Sequence, residues 1–343
     1  MNQEPPATLG LAYLSPEALS AYCARYKGHV LGIVGFGRPD TAADKIDSPF
    51  ARVDMPVLSA DSAFEVWTHS AQVRRADNAD MSSTRTDDIL YGSFNVEQLA
   101  AETIESLTFR AYSKLFDFID REKCPNLLRI WHYFPNINVS ENGRERYHGF
   151  NVGRHEAFTA KARVIGKESV PAACALGSRS GPMVIYFLAG KKPGIPVENP
   201  RQISAYQYPK EYGPRSPTFS RAMLVGEGPS QKLFISGTAS ILGHESQHEG
   251  DARAQAHETV ENIRALLEEA RCAGFEPSDA ERRWFLKIYL NDPRFLPLLR
   301  TQVLAEFGTA HQAIYLQADV CRADLLLEIE AVCSYGNPSD SPS

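Results

Sequence analysis

No apolar run in this sequence reaches the 18 or more residues of a membrane-spanning helix, so a membrane partner is not expected. The opening MNQEPPATLG has neither a basic nor an apolar segment of the kind that begins a secretory signal, and a cytoplasmic location is expected. Positive charge is not in excess: the formal net charge is -6, which points away from nucleic acid. The cysteines Cys23, Cys124, Cys174, Cys272, Cys321 and Cys333 form no CxxC pair, which argues against a zinc ribbon or a disulfide scaffold. They are expected to be reduced, most of them packing residues. The glycines of GHVLGIVGFG (28–37) do not make GxGxxG, so a dinucleotide site has little support.

What is there is an ordinary globular composition, 43% hydrophobic and 23% charged, over 343 residues, enough for two domains of roughly 150 residues each. PEALSAYCARY reads as a short helix and 28–37 as a strand, followed by a Pro/Asp-rich loop over 38–61. FEVWTHS (64–70) is strand-like, and RRADNADMSSTRTDD (74–88) is expected to be a mobile surface loop. Asn95 with Gln98 makes a capping-box pattern ahead of Leu99, Ile104, Leu107, Ala111, Leu115, Phe118 and Ile119, whose spacing predicts a core helix. NLLRIWHYFPNIN (126–138) and MVIYFLAG (183–190) read as strands. Between them, RYHGFNVGRHEAF (146–158) gathers Tyr147, His148, Arg154 and His155 around glycines that permit close backbone approach. VENPRQISAYQYPKEYGPRSPTFSRA (197–222) is too rich in proline for a helix or a central strand. Its Tyr206, Tyr208, Tyr212, Arg215 and Arg221 suit a carboxylated ring; the alternative is an interdomain linker with solvated arginines.

The C-terminal third is the clearest. LFISGTASILG (233–243) is a strand, and Asp251 caps a helix with Ala256, Val260, Ile263, Leu267 and Ala270 on one stripe. WFLKIYL (284–290) is a strand and FLPLLRTQVLAEF (295–307) a helix; AIYLQADV and DLLLEIEAV are closing strands. This order implies an α/β sandwich with helices on one face of a mixed sheet. In the last strand, alternation puts Glu328 on one face with Leu326 and Glu330, a carboxylate on a strand built for burial. Such a group is paired, used or solvated at a surface. Cys321 lies seven residues upstream, and the strand from Leu233 to Ser240 looks able to pair nearby.

Two motifs compete for chemistry. His244-Glu245-Ser246-Gln247-His248 matches HExxH, which binds zinc when a helix sets both imidazoles on one face. Gly243 before it and Gly250-Asp251 after it place it in a loop, and neither His257 nor Glu258 makes a convincing third ligand. No metal is expected. The second set is SRAMLVGEGPSQKLFISGTASILG, TVENIRALLEEA, FLKIYLND and LLLEIEAV, which in this order resemble the RidA/YjgF family. WHYFPNIN, RYHGFNVGR, VENPRQISAYQYPKEYGPR and DVCRADLLLEIE narrow the resemblance to the chorismatases, the FkbO-like chorismate-cleaving enzymes, over about residues 126–335.

The resemblance implies a fused, pseudo-symmetric chain: an N-terminal α/β domain over 1–200, a RidA/YjgF-like domain over 201–335 carrying most of the active site, and a disordered tail over 336–343. It also implies chorismate as substrate, pyruvate and 3-hydroxybenzoate as products with 4-hydroxybenzoate as a possible addition, no cofactor, and a monomer. Glu328 would protonate the enolpyruvyl methylene, which needs a raised pKa. Arg154 with Arg215 or Arg221 would bind the two carboxylates, Tyr147 and Tyr212 would orient the ring, and Gly237 and Thr238 complete the binding set. Members that hydrolyse chorismate to a dihydroxycyclohexadiene carboxylate tend to carry Ala where this chain has Gly237 and Cys321. Gly237 would leave room for a rearranged intermediate, and Cys321 would assist ring proton movement; a buried packing cysteine is the alternative. A RidA-type imine hydrolase or a ligand-binding relative are the competing classes.

Overall fold

A computed structural model describes residues 9–37, 46–59, 62–76, 78, 81–167 and 169–336. The expected 38–61 loop therefore lies partly outside the described residues, as does all but the first residue of the expected 336–343 tail. Along the chain run β1 (Leu9–Leu14), α1 (Pro16–Arg25), β2 (Val30–Phe36), β3 (Phe50–Val53) and β4 (Phe64–His69). Then follow β5 (Arg74–Arg75), β6 (Ser82–Arg85), β7 (Ile89–Val96), α2 (Ile104–Arg121), β8 (Asn126–Pro135), β9 (Ser140–Glu141), β10 (Arg144–Glu145), α3 (Arg146–Ala160), β11 (Ala172–Ser178) and β12 (Met183–Gly190). The remainder is β13 (Ile195–Val197), β14 (Ala222–Val225), β15 (Lys232–Thr238), β16 (Ile241–Leu242), β17 (Glu245–Ser246), α4 (Ala252–Cys272), β18 (Arg282–Leu290), α5 (Leu296–Phe307), β19 (Gln312–Gln317) and β20 (Leu327–Tyr335).

Three sheets carry the architecture among the described residues, in the orders β1-β4-β2-β3, β11-β8-β12-β7-β6-β5 and β13-β14-β15-β20-β18-β19. Their inner faces share one apolar core, in which Trp67 of the first sheet meets Trp131 of the second and Phe234 of the third. The outer faces are covered by helices: α1 on the first sheet, α2 and α3 on the second, α4 and α5 on the third. Each sheet thus has two apolar faces, which is why strands such as β12 and β20 are buried nearly end to end. This is the expected mixed α/β sandwich. No helix is long and apolar enough to cross a membrane among the described residues.

Local chemistry explains most of the elements. Asp251 caps α4 by accepting from the amides of Arg253 and Ala254, both at 3.0 Å, and the Ala256–Ala270 stripe is buried. In α3, Gly153 faces α2 so closely that a Cβ there would stand 2.1 Å from the Glu105 carbonyl oxygen. The absence of a side chain at Gly153 lets the α3 backbone pack directly on α2.

Three expectations need correction. The helix heralded by Asn95 and Gln98 starts later: Asn95 pairs with Val184 inside β7, and Thr103 caps α2 by accepting from the Ser106 amide. Leu99 is exposed, so the apolar repeat began one turn too early. The stretch 74–88 is not simply a surface loop, because β5 and β6 form the edge of the second sheet there. Ser83 and Thr84 are buried by giving their hydroxyls to backbone carbonyls, Ala76 and Leu31 respectively. Finally, 233–243 is not one strand: the β15–β20 register shifts between Ile235 and Thr238, and the chain turns into the β16–β17 hairpin.

Candidate active site

The cleft that gathers the chemistry lies where the third sheet meets α3 and the proline-rich segment before β14. Its floor is Glu328 of β20 and Gly237 of β15; its walls include Tyr147 and His148 of α3, Tyr208, Tyr212, Phe219 and Arg221, and the turn Cys321–Arg322 that precedes β20. Antiparallel pairing of β15 with β20 brings the floor residues together. A Cβ at position 237 would fall 1.9 Å from Glu328 Oε1, so the carboxyl occupies the space that a side chain would need. The space over Gly237 is occupied by the Glu328 carboxyl.

Glu328 is 4% exposed, and no hydrogen bond to its carboxyl is present among the described residues. Burial, reinforced by the nearby Glu330 charge and opposed by Arg129, pushes its pKa up to about 8. It is consequently a neutral acid at pH 7. The Cys321 thiol is pushed up to about 12 by burial and by the Glu328 charge, so it stays protonated; Tyr147 is within hydrogen-bonding reach of it. Arg221 donates from Nη2 to the Ile203 carbonyl (2.8 Å) and the Tyr208 hydroxyl (2.7 Å), while its buried Nε has no partner. Arg322 lies over the rings of Tyr212 (4.2 Å to the centroid) and Tyr208 (5.3 Å). Its Nη1 donates to the His244 carbonyl at 2.8 Å and to Ser246 Oγ at 3.2 Å.

Those contacts give the HExxH segment a structural place. It covers the end of the turn and the second strand of the β16–β17 hairpin, and His248 has φ +60°, so no helical face presents the two imidazoles together. His244 instead packs edge-on against Tyr212, with Nδ1 and the Tyr212 hydroxyl 3.3 Å apart.

Of the residues singled out from sequence, Glu328, Cys321, Tyr147, Tyr212, Arg221 and Gly237 line the cleft. Arg154, Arg215 and Thr238 do not. Arg154 is buried under α3, where Nη2 donates to Asn151 Oδ1 at 2.8 Å and the guanidinium sits 4.9 Å from the Phe150 ring. Its charge, after burial, helps push His132 down to about 3. That imidazole is neutral, donating from Nδ1 to the Cys174 carbonyl and accepting from the Tyr112 hydroxyl at Nε2, each at 2.7 Å. Arg215 is exposed on the loop. Thr238 follows Gly237 with its side chain on the opposite strand face, its hydroxyl bonded to the Ser236 carbonyl.

Sequence reasoning passed over Arg322 and a buried ion cluster behind the acid. Glu330 accepts from Arg129 Nη2 at 2.5 Å, contacts Lys287 at 2.5 Å and takes the Trp131 indole N–H at 3.1 Å. Lys287 also meets Glu65 at 2.6 Å. Burial alone would raise Glu330, but Lys287 and Arg129 outweigh it and hold the carboxylate below its ordinary range. A readable signal existed: charges stand inside four apolar strand runs, one each in FEVWTH (Glu65), NLLRIWHYF (Arg129) and WFLKIYL (Lys287), and both Glu328 and Glu330 in LLLEIEAV.

The comparisons with known proteins bear directly on this site. A 3-hydroxybenzoate synthase from Streptomyces hygroscopicus is 33% identical over 293 residues, 83% of this chain and 85% of that protein. The chain belongs to the chorismatase family. The family model described as Chorismatase FkbO/Hyg5-like, N-terminal, matches residues 65–189. A chorismatase from Streptomyces rapamycinicus is 31% identical over 83% of the chain and 86% of its own length. A chorismatase crystal structure superposes with a TM-score of 0.85 at 29% identity, covering 95% of this chain and 98% of that one. The similarity to that chorismatase structure thus extends across all three sheets and the residues of the cleft.

Proposed function

We propose that this chain cleaves chorismate to 3-hydroxybenzoate and pyruvate, with Glu328 as the general acid. The observation that carries this reading is the state of Glu328: a buried carboxyl, neutral at pH 7, with no protein hydrogen-bond partner among the described residues, on the floor of a cleft walled by tyrosines and two arginines. The relatives named as chorismatases and as a 3-hydroxybenzoate synthase support the substrate and product.

Chorismate brings two carboxylates, and Arg221 and Arg322 are the guanidinium groups on the cleft wall to receive them. Tyr147 and Tyr212 flank the ring. Proton transfer from Glu328 to the enolpyruvyl methylene leaves an oxocarbenium-like centre and a carboxylate. Pyruvate departs with the ether oxygen as the C4 hydroxyl oxygen closes onto C3 and gives up its proton, which restores Glu328 to its acid form. The oxygen bridge then opens at C4, takes up a proton, and the ring loses the C3 proton to give the 3-hydroxy arene. The two products together contain the atoms of chorismate, so no water is consumed, whereas the diol outcome adds one. Cys321, a protonated thiol beside the acid, assists the ring proton transfer, and its bulk helps keep water out.

Incubating the purified protein with chorismate and resolving products chromatographically tests the reading. Pyruvate with 3-hydroxybenzoate is expected. Additional 4-hydroxybenzoate would place the chain in a dual-product branch, the diol would discard the product argument, and no turnover would overturn the function.

A further inference from the structure

The ion cluster behind Glu328 has a charge balance of its own. Glu65 and Glu330 are negative, Arg129 and Lys287 positive, and all four are at most 3% exposed. The four sum to zero among themselves, so with Glu328 counted the five groups are neutral only while Glu328 is uncharged. Arg129 shows the same arrangement at atomic scale: Nη2 is taken by Glu330, and buried Nη1 has no partner. Glu330 stands two residues from Glu328 on the same strand face, and Lys287 is directly opposite Glu330 on β18.

The other groups facing Glu328 are neutral except for Arg221, Arg322 and Glu145 on the cleft wall. Tyr289 lies opposite it on β18, Cys174 of β11 and Gly237 of β15 pack beside it, Cys321 and Tyr147 border it, and Arg221 and Arg322 line the same cleft. Burial raises Tyr289, Cys174, Tyr147 and Cys321 well above neutrality, so these four remain uncharged.

We propose that Glu65, Lys287, Glu330 and Arg129 are positioning residues that store the catalytic proton on Glu328: the cluster is charge-neutral with the acid protonated, and the unpartnered Nη1 of Arg129 is the counter-charge for the carboxylate formed when the proton leaves. This inference rests on Glu328 as the acid of the proposed reaction. It explains why four costly buried charges persist in an otherwise apolar core, where a matched pair of neutral residues would pack as well. It also makes a signed prediction, because removing a negative member turns the cluster positive and removing a positive member turns it negative.

The test is the titration of Glu328 itself, read from the side-chain carboxyl resonance of the ¹³C-glutamate-labelled full chain and assigned by its loss in Glu328→Gln, alongside the pH profile of kcat/KM. Glu330→Gln and Glu65→Gln, both isosteric, are expected to move the titration and the high-pH limb down by about one pH unit or more. Arg129→Gln is expected to move both up, and Glu330→Gln/Arg129→Gln to bring them back toward wild type. A structural role alone would lower activity without this reversal of sign. Unshifted titration in the two folded Glu→Gln variants overturns the proposal, even where Arg129→Gln fails to fold. Full activity in Glu328→Gln would instead overturn the acid assignment, while the carboxyl titration would still report on the cluster.

Discussion

Glu328 and Cys321 are the residues whose chemistry is most exposed to test. Glu328→Gln keeps the shape of the carboxyl but removes its transferable proton, and turnover is expected to fall by about 10²-fold or more, with chorismate binding by calorimetry changed far less. In the unsubstituted protein the acid form is required, so kcat/KM is expected to hold below about pH 8 and fall above it, following the Glu328 carboxyl. Cys321→Ala opens space beside the acid and is expected to shift product toward the diol; an unchanged ratio of 3-hydroxybenzoate to diol would remove Cys321 from the product-determining step. Gly237→Ala acts differently, since the new methyl must displace the Glu328 carboxyl from 1.9 Å. Its expected signature is a loss in kcat larger than the change in KM.

At the scale of elements, the cleft depends on how closely α3 can approach α2. Gly153→Ala places a methyl against the Glu105 carbonyl and is expected to destabilise the protein by about 1–3 kcal/mol, measured as a lower urea midpoint. Because α3 carries Tyr147 and His148, the same change is expected to raise KM for chorismate. The helices and strands themselves were largely legible from periodicity: α4 with its Asp251 cap, β18, β12 and the pairing of β15 with β20 follow from apolar spacing and local capping. The failures also have local causes. Leu99 looked like the first apolar position of α2 but is exposed, and Ser83 and Thr84 looked like loop residues until their hydroxyls found carbonyl partners across the sheets.

For the whole molecule, the neutral acid is a standing cost. Its pKa is raised to about 8 in the fold against about 4.3 for an unfolded glutamate, so the native state binds the extra proton between those values. Glu328 is therefore stability-neutral below about pH 4 and destabilising as pH rises through the window, by up to several kcal/mol. Glu328→Gln is expected to raise Tm near pH 8 and to match the unsubstituted protein near pH 4; equal gains at both pH values would mean that the effect is not titration. The chain accepts this cost because the third sheet is anchored on both faces, by α4 and α5 outside and by the shared core of three sheets inside.

The amino-acid sequence by itself determined the class of fold, the run of elements after residue 126, the candidate acid and the family resemblance, because each rests on short-range spacing and on motifs contiguous in the chain. Only the tertiary structure decided which charged residues share the cleft. Arg154 and Arg215 have the right chemistry, yet one is buried beneath α3 and the other exposed, while Arg322 reaches the site by lying across Tyr208 and Tyr212. The same holds for the charge cluster: Glu65, Arg129, Lys287 and Glu330 belong to strands far apart in sequence, and their mutual neutralisation exists only once three sheets close on one interior. Burial and Coulomb interaction depend on distance in space, and spacing along a chain reports that distance only within an element.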